Sequence, residues 1–171
     1  MVFKCKRKTD WKIRKFKAQY CVRGDFQKIL SPKPPNLYYP VVQWATVRLL
    51  FILQCIIGFH SQIIDFTNSF AQAEIQNRYP VFIELPRDFK SDGGPGGVVL
   101  RLRKSIYGQA EDSRLWYENL RYGFLDLGFL MGEVDTCTFM SKTMICVVYV
   151  DDCLFWARSQ SDIDYVMKPF K

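Results

Sequence analysis

The chain of 171 residues has one histidine, His60, and its six cysteines (Cys5, Cys21, Cys55, Cys137, Cys146 and Cys153) include no Cys-x-x-Cys pair. A Cys/His zinc site therefore has too few ligands at workable spacing. Four of the six cysteines lie in apolar or alternating runs and read as small core residues of a reduced, intracellular protein. Long apolar runs are also missing. The longest, Trp44 to Phe59, is broken by Arg48 and Gln54. It is short for a bilayer span and reads as a buried helix, so no membrane partner is expected. The first residues are charged rather than apolar, which argues against a signal peptide. Gly-Gly-Pro-Gly-Gly at 93–97 is not followed by Lys-Ser/Thr and lacks a strand–loop–helix setting, which excludes a phosphate-binding loop. No internal repeat is visible.

Acidic residues are scarce at the N-terminus. Residues 1–30 hold ten Lys or Arg against Asp10 and Asp25, so this segment carries +8 of a net +7. The rest of the chain is nearly neutral. Such asymmetry fits a polyanion partner or a solvated basic strand. What is abundant is apolar: 49% hydrophobic and 16% aromatic residues make a folded core, not disorder, the expectation.

Residues 15–23 alternate. Phe16, Ala18, Tyr20 and Val22 face one way, and Lys15, Lys17, Gln19 and Arg23 the other, which predicts a half-buried strand with a basic outer face. Gly24-Asp25 predicts a turn, and Ser31–Pro40 an extended Pro-rich connection. A helix over 44–58 ends near Gly58. Gln62–Phe66 reads as a buried strand that carries Asp65, with a helix starting in Asn68–Ile75. Strands are expected at 80–86 and 98–102 around a glycine-rich loop at 92–97. Asp112 or Ser113 caps a helix to about Leu127, with the stripe Trp116, Leu120, Phe124 and Leu127 as core and Gly128 as its stop. Ser159 or Ser161 caps a closing helix that meets Pro169.

Met144–Val150 and Cys153–Ala157 are apolar runs on either side of Asp151-Asp152, which predicts a hairpin with a two-residue acidic turn. Adjacent like charges beside a core disfavour each other's ionisation. A structural turn is one reading. A divalent cation is the other, since its charge offsets both carboxylates. With Asp65 as a third carboxylate the set would suit a two-metal phosphoryl-transfer site.

Tyr149-Val150-Asp151-Asp152 resembles the Tyr-x-Asp-Asp box of reverse transcriptases. Trp116-Tyr117, Gly128-Phe129 and Asp135 before it resemble the copia-type retrotransposon family in particular. So do Val22-Arg23-Gly24, Tyr39-Pro40-Val41-Val42 with Thr46-Val47-Arg48, Ile64-Asp65 with Ser69-Phe70, Val81-Phe82-Ile83 with Leu85-Pro86, and Leu102 with Tyr107-Gly108. The resemblance runs over about residues 11–168, with its landmarks in family order.

That resemblance implies an α+β fold: the fingers and palm of a right-hand polymerase, with the palm a ferredoxin-like antiparallel sheet packed on helices. Fingers would take about 1–43 and 79–110, and palm about 44–78 and 111–171. The thumb and RNase H regions of the parent polyprotein would be absent. It implies RNA-directed DNA polymerase activity on an RNA template and DNA primer with dNTPs, in the cytoplasm within the element's particle and in the nucleus. Asp65, Asp151 and Asp152 would be the catalytic residues and would bind two Mg²⁺ ions, with Mn²⁺ a substitute. Lys17, Arg23, Phe70 and Gln109 would bind dNTP, with Phe70 under the sugar. Lys12, Arg14, Lys15 and Tyr149 would contact nucleic acid.

The chain departs from the family in two places. Where the family has Tyr-Gly-Leu-Lys/Arg-Gln-Ala-Pro-Arg, this chain has Tyr107-Gly108-Gln109-Ala110-Glu111-Asp112-Ser113-Arg114. Aligned without gaps, Glu111 takes the glutamine's place. Aligned on Gln-Ala, Gln109 keeps it. The fingers Lys-Ala-Arg reads Lys17-Ala18-Gln19. The departures favour a catalytically inactive nucleic-acid-binding remnant, and the intact aspartates an enzyme. An unrelated metal-dependent phosphohydrolase is the third reading.

Overall fold

The computed structural model describes residues 2–27, 37–66, 68–75, 80–85 and 98–167. The glycine-rich loop at 92–97, most of the Pro-rich connection and Pro169 lie outside these residues. Among these residues the protein is mixed α/β, with antiparallel sheets and three α-helices. It divides into two compact units, one of residues 1–37 and 70–115, the other of residues 38–69 and 116–171.

In the first unit, β1 (Val2–Arg7) and β2 (Ile13–Gln19) form an antiparallel hairpin. Alternation along β2 is as expected, but its burial is not. Phe3 and Phe16 are 74% and 73% exposed, because a two-stranded ribbon is one layer and neither face is covered. A second hairpin pairs β3 (Phe82–Glu84) with β4 (Val99–Arg101), where strands were expected. The helix expected after Asn68 is only a single 3₁₀ turn over Ser69–Gln72. Two family-like landmarks meet here. Val22 N–H donates to the Tyr107 carbonyl at 2.9 Å. Gly24 and Gly108 allow that approach. A Cβ on Gly24 would strike the Gly108 carbonyl and one on Gly108 the Val22 carbonyl, and Gly108 also sits at φ +84°.

The second unit holds a five-stranded antiparallel sheet of order β5-β9-β8-β7-β6. Its strands are β5 (His60–Asp65), β6 (Leu130–Met131), β7 (Thr138–Met140), β8 (Met144–Tyr149) and β9 (Asp152–Ala157). The central strands β8 and β9 are the continuous apolar runs of the sequence, as strands covered on both faces require. The strand carrying Asp65 differs from expectation. It is an edge strand, with Ile63 66% exposed, because only β9 pairs with it.

Helix α1 (Trp44–Ile57) stops at Gly58, whose φ of +77° is the left-handed cap that glycine adopts without strain. It packs through Leu50 and Phe51 on one face of the sheet. The Phe51 ring meets Trp156 edge-on at 5.5 Å, and Trp156 Nε1 donates to Gln54 Oε1 at 2.9 Å. Helix α2 (Asp112–Asp126) contributes Trp116, Leu120 and Phe124 to the core of this unit. Phe124 packs on Phe139 and Phe155, at 4.9 and 6.1 Å between ring centroids. Full burial of such a side chain is worth about 1.5–3 kcal/mol. Leu127, expected in that stripe, is 43% exposed, because it lies past the helix end. Gly128 follows at φ +82°. Helix α3 (Gln160–Met167) is capped by Ser159, whose Oγ accepts from Asp162 N–H at 3.3 Å, and packs on β9 and β5.

Of the cysteines, Cys137, Cys146 and Cys153 are core residues, whereas Cys5 and Cys55 are exposed. Burial pushes the Cys137 thiol up to about 12 and that of Cys146 well above its ordinary range, so both stay protonated and inert.

Candidate active site and basic hairpin

The acidic turn is built by two apolar strands. Register pairs Tyr149 with Asp152, so the two turn residues are Val150 and Asp151. The expected turn, Asp151-Asp152, is thus displaced by one residue, and Asp152 opens β9. Val150 takes φ +57° there. A two-residue hairpin needs positive φ at its first central position, and a β-branched side chain resists it.

Two hydrogen bonds hold the turn. Trp116 Nε1 donates to the Val150 carbonyl at 2.9 Å, and Phe66 N–H donates to the Asp151 carbonyl at 3.3 Å. The Phe66 and Trp116 rings meet edge-on at 5.5 Å. Across the sheet, Asp65 pairs in register with Asp152. Strand register thus puts the three aspartates at one end of β5, β8 and β9.

Electrostatics records that proximity. The Asp152 carboxyl lies above its ordinary 3.8, first through burial and then through the charges of Asp151 and Asp65. Asp152 itself remains exposed, and it lines an apolar cavity of about 310 Å³ with Val42, Trp44, Phe51, Ile63 and Tyr149. No basic side chain pairs with any of the three aspartates among the described residues. Nor do three or more His, Cys, Asp or Glu side chains converge there as a formed metal cage. Hard-oxygen donors that disfavour one another without a cation are the donor set of a Mg²⁺ site. Such a site takes few carboxylates and fills its shell with water and substrate phosphate. The donor chemistry suits that ion, although the side chains form no cluster of three among the described residues.

Tyr149 is 48% exposed beside Trp44, with 6.4 Å between ring centroids. Asp135 was legible only as a landmark. It proves to be the cap of α1: its carboxylate accepts from Gln43 N–H at 2.9 Å and Thr46 Oγ1 at 2.7 Å, and from Cys137 N–H at 3.1 Å. An anion at a helix N-terminus is favoured by the orphan N–H groups and the dipole.

The other expected binding residues lie in the first unit. The hairpin register sets Lys4 opposite Lys17 and Lys6 opposite Lys15. Residues directly opposite share a face, so four ammonium groups lie together where cross-strand repulsion disfavours them. Lys4 and Lys6 were missed as site residues, although Lys alternates with Phe3 and Cys5 in the sequence. Arg14 faces the opposite way from Lys15. Lys12, at the strand entry, pairs with Asp10 at 3.5 Å. Arg23 is held by Asp25 through two hydrogen bonds and lies over the Phe26 ring at 4.5 Å. Phe70 is buried, edge-on to Tyr107 at 4.9 Å. Gln109 is 3% exposed, and neither of its amide atoms has a hydrogen-bond partner among the described residues. It lines a cavity of about 400 Å³ with Tyr20, Cys21, Phe26 and Phe82. Glu111, the anion in the altered stretch, is paired with Arg114 at 3.4 Å.

Comparison with known proteins identifies a family. The family described as reverse transcriptase (RNA-dependent DNA polymerase) matches residues 1–171. The retrovirus-related Pol polyprotein from transposon TNT 1-94 of Nicotiana tabacum is 25% identical over 164 residues, 93% of this chain and 12% of the relative. That from transposon RE2 of Arabidopsis thaliana is 28% identical over 162 residues, 90% of this chain and 10% of the relative. The transposon Ty1-H Gag-Pol polyprotein of Saccharomyces cerevisiae is 24% identical over 149 residues, 83% of this chain and 8% of the relative. The chain therefore spans about a tenth of the length of the curated relatives it matches. No solved structure matches. The chain belongs to the reverse transcriptase (RNA-dependent DNA polymerase) family, in the copia-type group that these transposon polyproteins represent.

Proposed function

We propose that the chain supplies the fingers and palm of an RNA-directed DNA polymerase that adds dNTPs to a primer 3′-hydroxyl on an RNA template. The observation that carries this reading is the register pairing of Asp65 with Asp152, with Asp151 in the adjoining turn. Asp65, Asp151 and Asp152 would hold two Mg²⁺ ions, with Mn²⁺ as substitute. When bound, such ions lower the pKa of an attacking hydroxyl and stabilise the leaving pyrophosphate. The protein's own part is to aim the carboxylates from two strand ends and one clamped turn.

The second unit takes the role of palm and the first that of fingers. Lys4, Lys6, Lys15 and Lys17 neutralise phosphates on one face of the hairpin, so binding of template–primer weakens with salt. Lys12 borders that face at the hairpin's entry, Arg14 contacts nucleic acid from the opposite face, and Tyr149 contacts it beside the turn. Lys17 is the freer cation for the triphosphate, since the Arg23 charge is shared with Asp25. Phe70, fixed by Tyr107, lies under the sugar, and Gln109 contacts the nascent pair. Pairing with Arg114 offsets the Glu111 charge, which lowers its repulsion of a polyanion. Thumb and RNase H regions of a longer polyprotein complete the machine.

Primer extension on an RNA template with Mg²⁺ and dNTPs tests the proposal, with Asp151→Asn as control. Extension by the parent and none by the variant is the expected result. Salt-sensitive template–primer binding with no extension by the parent would leave a binding remnant instead.

A further inference from the structure

The turn that carries Asp151 adopts a conformation its own residues disfavour. Val150 sits at φ +57°, a region that strains a β-branched residue. Such strain persists only where neighbours over-determine the backbone. Two hydrogen bonds do so here. The indole of Trp116, 2% exposed, donates to the Val150 carbonyl at 2.9 Å, and the Phe66 N–H reaches the Asp151 carbonyl at 3.3 Å. Phe66 directly follows Asp65, and its ring meets the Trp116 ring edge-on at 5.5 Å. One chain of touching groups thus runs from the α2 indole through the turn to the strand of the opposing carboxylate.

The geometry points to Trp116 as a positioning residue: its indole N–H holds Val150 in the left-handed region and so fixes where the Asp151 carboxylate points. The claim goes beyond core packing, because the ring alone would supply the packing. It rests on the proposed metal-binding role of Asp151 only for its consequence, not for the clamp itself. Groups that orient a ligating residue typically change metal affinity by about 10–100-fold when removed.

The test compares Trp116→Phe, Val150→Gly and the double variant by Mn²⁺ titration and by amide NMR of the turn. Trp116→Phe keeps an aromatic ring against Phe66 and removes the N–H. It is expected to weaken Mn²⁺ binding at least about 10-fold. Val150→Gly adopts positive φ without strain, so it should restore affinity in the Trp116→Phe background to within about 3-fold of the parent. Unchanged Mn²⁺ affinity in Trp116→Phe, or a loss that Val150→Gly does not relieve, overturns the inference. A parent that binds no Mn²⁺ defeats the metal-site reading instead. The clamp is then decided by NMR: shifts centred on Val150 and Asp151 uphold it, and shifts confined to α2 reject it. Should Trp116→Phe not fold, a benzothienylalanine isostere, which exchanges only the N–H for sulfur, carries the same comparison.

Discussion

Asp65 stands directly opposite Asp152 across the antiparallel pairing of β5 and β9, with no basic residue paired to either among the described residues. Two carboxylates placed on one face by strand register are held there by the sheet, not by attraction to each other. Apolar strands hold them at the cost of their mutual repulsion, and the Asp152 carboxyl is raised first by desolvation and then by the charges of Asp151 and Asp65.

That pKa sets a stability prediction. A carboxyl whose folded pKa exceeds its unfolded one stabilises the fold fully below the ordinary 3.8, and this contribution is lost as pH rises through the raised value. Asp152→Asn should therefore raise the melting temperature at pH 7, with a smaller effect near pH 3.5. Melting curves of parent and variant across that range check it. A variant less stable than the parent at pH 7 contradicts it.

The lysine face makes an electrolyte prediction. Replacing Lys4, Lys6, Lys15 and Lys17 singly by Gln should each lower template–primer affinity and reduce the slope of log K against log salt by about 0.7–0.9 for each phosphate no longer neutralised. Lys12→Gln, at the Asp10 pair, should do less. Equal salt slopes for parent and all four variants would contradict the shared face.

The carboxylate of Asp135 caps α1 and also accepts from Cys137 N–H. Asp135→Ala should cost on the order of 2–3 kcal/mol, since it orphans two part-buried donors at a helix start and the buried Cys137 N–H. Denaturant unfolding measures it. A loss under about 0.5 kcal/mol would match an ordinary surface substitution and rule out the cap.

Stability and binding should separate at Gln109. A buried amide without partners costs about 1–3 kcal/mol of unmet hydrogen bonding, so Gln109→Leu should leave stability unchanged or raise it while weakening dNTP binding. Unfolding curves and nucleotide titration give the two readouts. A destabilised variant with unaltered nucleotide binding refutes the assigned role.

How far these features are legible in the sequence follows from how local they are. The β8–β9 hairpin and its aspartates stand out because two apolar runs flank them. The shift of the turn to Val150-Asp151 does not, because composition favours Asp-Asp as the turn and a strained valine is set by the indole of Trp116, more than thirty positions away. Alternation gives β2 its faces but not its exposure, since exposure depends on what covers a ribbon. Lys4 and Lys6 join the site only through pairing with β2. Asp65 reads as part of a buried strand because Ile63 and Ile64 look like core, yet edge position is a property of the sheet. Asp135 gives no local signal of capping a helix some ninety residues earlier.

Single-turnover incorporation of one dNTP opposite an RNA template, by the parent, Asp65→Asn, Asp152→Asn and the double variant, tests the central claim most directly. Groups that act as one unit are non-additive. The account predicts that Asp65→Asn loses about 10³-fold or more and that adding Asp152→Asn lowers the rate little further. Near-parental incorporation by Asp65→Asn, or fully multiplicative losses in the double variant, would contradict a shared catalytic centre.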